Sequence, residues 1–70
     1  MRLLIVFLPH TGRIVAEVEF ADADREASIR TRFAAERIYG HVYEVVVLCA
    51  SSREAMRRTH GRYFAHDERP

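Results

Sequence analysis

The sequence predicts a small α+β fold of order ββαβα, with a three-stranded sheet of spatial order 2-1-3 and two helices on one of its faces. Three observations predict it. Residues 3–8 and 42–50 are nearly continuous apolar runs, residues 13–20 alternate apolar with polar, and two later segments carry helix-start and helix-stop residues.

Residues 3–8 (LLIVFL) end at Pro9 and read as a strand buried on both faces. Pro9-His10-Thr11-Gly12 follows as a turn, since Pro presets one backbone angle and Gly accepts a positive one. In residues 13–20, Ile14, Ala16, Val18 and Phe20 fall on one face and Arg13, Val15, Glu17 and Glu19 on the other. That pattern is a half-exposed strand paired with the first in a hairpin.

Asp22 or Asp24 is positioned to cap a helix that runs to about Tyr39 and is stopped by Gly40. Glu26 with Arg30 and Arg32 with Glu36 have the spacing of ion pairs along its solvent side. Its apolar residues divide into two stripes, Ile29 with Phe33, and Ala23, Ala27, Ala34 with Ile38. Residues 42–50, interrupted by Glu44, read as a third, mostly buried strand. Ser51 to Glu54 has the form of a capping box, so a second helix starts there and reaches about His60, where Gly61 weakens it. Residues 62–65 continue as a frayed turn, and residues 66–70 have the composition of a tail. The expectation is one domain over residues 1–65 plus that tail. The most apolar strand, the first, belongs in the centre, antiparallel to both others, with a right-handed crossover through the first helix.

Size then bears on assembly. Seventy residues bury only about 60% of the surface of the unfolded chain, so one core gives marginal stability. Cys49 is the single cysteine, which excludes an internal disulfide framework and suits a reducing cytoplasm. Eleven basic residues, all Arg, against ten acidic ones give a net charge of +1, which argues against a generic polyanion binder. No stretch approaches the roughly 20 apolar residues of a membrane span, so no membrane partner is expected.

The apolar strands hold more side chains than helices on one face can cover. Leaving several of them wet would forgo about 1.5–3 kcal/mol each. A homo-oligomer, most simply a two-fold dimer covering the bare face or extending the sheet edge, is therefore expected. Leu4, Val6, Leu8, Val42, Val46 and Leu48 are its candidate interface. The alternative is that the segment holding Tyr63 and Phe64 folds back over that face and leaves a monomer.

Chemistry concentrates in residues 53–66. Arg53, Arg57, Arg58 and Arg62 with Tyr63 could hold phosphates and stack on a base, as in a nucleic-acid surface. The near-zero charge and the acids Glu17, Glu19 and Glu44 favour a solvated helix face instead. His60 and Tyr63, at helical spacing with Met56, could line a small-molecule pocket, although a packed histidine explains the same pattern. No nucleophile, base and orienting acid have matching spacing. His10, His41, His60, His66, Cys49 and Asp67 lack the paired spacing of a zinc site, and no metal or cofactor is expected. Cys49 reads as a packed, inert thiol at a strand end. The loop at residues 49–52 could meet an anion at the helix start, but it has no glycine to let a backbone wrap a phosphate. The reading is thus a non-enzymatic, homo-oligomeric interaction or regulatory module, with nucleic-acid binding and a small-molecule or enzyme pocket as the alternatives.

Overall fold

A computed structural model of the chain describes residues 1–65; the expected tail, with His66 and Asp67, lies outside the described residues. The strands are β1 (Arg2–Leu8), β2 (Arg13–Phe20) and β3 (Glu44–Cys49). The helices are α1 (Arg25–Tyr39), α2 (Arg53–Thr59) and the single turn α3 (Gly61–Phe64), with a short 3-10 turn at Asp22–Asp24. The sheet order is β2-β1-β3, and β1 is antiparallel to both neighbours. This is the predicted α+β fold with the predicted strand order.

Local signals hold within a residue or two. The hairpin closes where the amide of Gly12, at φ +75°, donates to the Leu8 carbonyl at 2.8 Å. Gly40, at φ +70°, ends α1 with its amide on the Glu36 carbonyl at 3.0 Å. Two caps differ. Neither Asp22 nor Asp24 bonds the first turn through its side chain. At α2 the cap is Ser52, not Ser51, and its hydroxyl accepts from the Ala55 amide at 3.1 Å.

The placement of the helices is corrected: they lie on opposite faces of the sheet. Paired residues in adjacent strands share a face, so the register Leu3–Leu48, Leu4–Val47, Ile5–Val46 and Val6–Val45 sorts β1 and β3 into two sets. Leu3, Ile5 and Leu48 join Met56 of α2 and Phe64 of α3 in one core cluster. Leu4, Val6 and Val45 join Ala35 of α1 in the other, with Ala16 and Phe20 of β2 against it. The physical reason is in the strands themselves. Both runs are apolar on both faces, so a helical layer on one side alone would leave the other wet. The crossover helix takes one face, and the chain leaving β3 takes the other.

This also corrects the basis of the bare-face interface. Leu4 and Val6 are buried on the α1 side, while Leu48 is buried, and Val46 half-buried, on the α2–α3 side. Leu8 is half-buried, and Val42 lies outside β3 in the preceding loop, 69% exposed. The six residues do not share one surface. Phe64, fully buried, supplies the fold-back that the alternative reading required.

The two layers are built differently. α1 approaches the sheet through small side chains, Ser28 and Ala35, and the buried Ser28 hydroxyl donates to the Arg25 carbonyl at 2.7 Å. On the other face Met56 and Phe64 fill the space with bulk.

Candidate functional site

The Arg-rich segment is engaged with acids of the sheet. Glu17 pairs with Ile5 of β1 and Glu19 with Leu3, so both carboxylates share the α2–α3 face. Arg53 of α2 reaches Glu17 at 3.2 Å and Glu19 at 4.0 Å. Arg62 of α3 forms a two-pronged contact with Glu44 at 3.2 and 3.3 Å, and its guanidinium carbon lies 4.7 Å from the Tyr63 ring centre and 5.3 Å from that of Phe7. Arg57 rests beside the Phe64 ring at 6.0 Å, and its buried Nε has no hydrogen-bond partner among the described residues. Only Arg58 of the four is neither paired nor stacked among the described residues, and it is exposed. The segment is therefore not a row of free guanidinium groups.

Tyr63 is tied down as well. Its hydroxyl donates to Glu44 at 2.6 Å, and its ring meets Phe7 edge-on at 4.9 Å. The Arg62 and Tyr63 hydrogen bonds hold the Glu44 carboxyl below the usual glutamate range, while burial and then Glu44 push the Tyr63 hydroxyl up. Glu44 likewise raises the Arg62 guanidinium. This cluster fastens α3 to the start of β3. His60 is half-buried at the corner between α2 and α3, its amide on the Met56 carbonyl at 2.8 Å and its carbonyl accepting from Tyr63 at 3.1 Å.

A cleft lies away from His60 and Tyr63. It measures about 520 Å³ and is lined by Glu36, Arg37, Gly40, His41, Tyr43 and Val45, between the end of α1 and the start of β3. Cys49 is exposed rather than packed, because its side chain shares the α1 face at the end of an edge strand; an Arg2 guanidinium nitrogen lies 3.3 Å from its sulfur. Among the described residues, no three His, Cys, Asp or Glu side chains are grouped to hold a metal ion. No helix among them is long and apolar enough to cross a membrane.

Sequence patterning raised the sheet edge as a place for a partner but did not single out which edge, or which of its residues turn their backbone outward. The Met1 amine donates to the Ala50 carbonyl at 3.0 Å and the Ala50 amide to the Met1 carbonyl at 3.1 Å, so this pair exchanges both bonds. Antiparallel ladders alternate. From that starting point, Leu48, Val46 and Glu44 turn their amides and carbonyls toward β1, and Cys49, Val47 and Val45 turn theirs outward. On β1, the even residues then face β2, so Phe20, Val18 and Ala16 bond inward and Glu19 and Glu17 turn outward.

The two edges differ in protection. β2 carries charges at two outward positions, Glu17 and Glu19, and beyond them has an irregular register beside Val15, between the Val6–Ala16 and Phe7–Ile14 pairs, before the uncharged outward Ile14. β3 has a regular register, no proline, and no charge between Val45 and Cys49. Given the strand order, residue parity in the sequence marks this edge. No protein family model, curated protein or solved structure matches this chain.

Proposed function

We propose that this chain is a non-enzymatic protein-interaction module that acts as a homodimer, in a regulatory or accessory role, through the open edge of β3. One observation carries the reading: Val45, Val47 and Cys49 present outward backbone donors and acceptors on a stretch with no guarding charge or bulge. Such an edge is a template for strand addition. Helices seated on both faces leave the edge, rather than a face, as the place for a partner. A chain with a single cysteine suits the cytoplasm, where that thiol stays reduced.

Light scattering on the intact chain over a range of concentrations tests the reading. The expected mass is twice the 8.1 kDa of one chain. A mass of one chain at every concentration up to the millimolar range removes it.

Nucleic-acid binding has weaker support, because Arg53 and Arg62 already have carboxylate partners in the chain. Oligonucleotide binding at low salt that falls steeply as salt is raised would favour that role instead.

A further inference from the structure

Building on the interaction reading above, we propose that two copies pair β3 with β3 about a two-fold axis at Val47, joining two sheets into one of six strands. In this register Val47 lies opposite the partner's Val47, and Val45 lies opposite the partner's Cys49.

The register follows from two constraints. A two-fold axis perpendicular to the sheet leaves each side chain on its own face, so residues opposite one another must both be odd or both be even in number. Hydrogen bonds across the new junction can come only from outward residues, which are Val45, Val47 and Cys49. Centring on Val47 uses all three and forms about six bonds, two for each mutually bonded pair. Centring on Val46 or Leu48 uses only two of the three positions and forms about four.

Side chains agree with this choice. On the α2–α3 face, Val46 meets the partner's Leu48, and Val46 is half-buried in the single chain. On the other face α1 lies over β1 and β3. Two strand spacings of about 4.8 Å put the two α1 helices roughly 10 Å apart, the separation at which helices pack. The flank of α1 on the β3 side is marked by Glu36, which lines the cleft with Tyr43 and Val45, and by Arg32, bonded to Glu36 at 3.3 Å. That ion pair is neutral as a unit and adds no net repulsion between the copies, while Arg37, which also lines the cleft, adds one positive charge per copy.

Cysteine cross-linking reads the register directly. In a Cys49→Ser background, Val47→Cys should give a two-chain product on mild oxidation at least about tenfold faster than Val46→Cys, whose opposite residue is the partner's Leu48. The native Cys49 should not cross-link, since it lies more than about 13 Å along the strand from the partner's Cys49. Doubled mass with cross-linking through native Cys49, or with Val46→Cys the faster, overturns the register and leaves the dimer reading standing. Loss of doubled mass in the native chain removes both. Should Val47→Cys fail to fold, an isotope-filtered NMR contact between Val45 and the partner's Cys49 supports the register, and a contact between the two Val46 side chains overturns it.

Discussion

The outer strands of this sheet share one neighbour and meet solvent in opposite ways. β2 is the longer, at eight residues, yet two of its outward backbone positions fall on Glu17 and Glu19, and its ladder is broken beside Val15 before the third, Ile14. Arg53 leans onto the same two carboxylates. β3 is shorter, at six residues, and its outward positions fall on Val45, Val47 and Cys49 with no break. A lone sheet that only had to stay soluble would need both edges guarded. The difference teaches that parity, not hydrophobicity alone, decides what an edge can do. The same valine-rich run hides its even residues' backbone in the ladder and presents that of its odd residues.

That parity can be broken in graded ways. Leu48→Pro removes an amide that bonds to β1 and a buried side chain, costing about 3 kcal/mol or more, which a chain of this size cannot sustain. No cooperative urea transition is expected. Val47→Pro, one residue earlier, removes an outward amide and trims a half-buried side chain at the edge of the α1-side cluster, while leaving the bonds to β1 in place. It should keep a cooperative transition while weakening dimer affinity about 100-fold, through two lost bonds per dimer and a ring on the edge, as read by sedimentation. Equal damage from both prolines would mean that the parity is misassigned.

Smaller effects address the clamp that seats α3 against β3. Tyr63→Phe should lower stability by about 1.5 kcal/mol, read from the shift in urea midpoint. The depressed Glu44 value fixes the sign of a pH effect. Its contribution is complete above the unfolded-chain value of about 4.3 and is lost as pH falls through the lower, folded value. Glu44→Gln should flatten that acid limb. The smallest effect is expected from Arg53→Ala, less than about 1 kcal/mol, because its partners are solvent-exposed. Oligomeric mass should not change, since Glu17 and Glu19 still guard β2.

Much of this was legible in residue order. The runs at residues 3–8 and 42–50, the alternation at residues 13–20, and Gly12 and Gly40 mark the elements to within a residue or two. The doubly apolar strands also implied two covered faces. Hydrophobic patterning could not tell whether a second chain or α2 and α3 would provide the second cover, because Tyr63 and Phe64 suit either role. The acids on the α2–α3 face, Glu17, Glu19 and Glu44, count in the sequence only as charge against a nucleic-acid surface, and in the fold they are partners of Arg53 and Arg62. Pairing across 36 and 18 residues of chain depends on topology, which local pattern does not carry.

Amide hydrogen exchange of the native chain, read residue by residue at high and low concentration, tests the edge assignment most directly. The Val45, Val47 and Cys49 amides are expected to be protected at high concentration and to lose protection together on dilution, while those of Glu17 and Glu19 exchange fast at both. Fast exchange at all five amides under every condition, or protection of Glu17 and Glu19 in place of the β3 set, would contradict it.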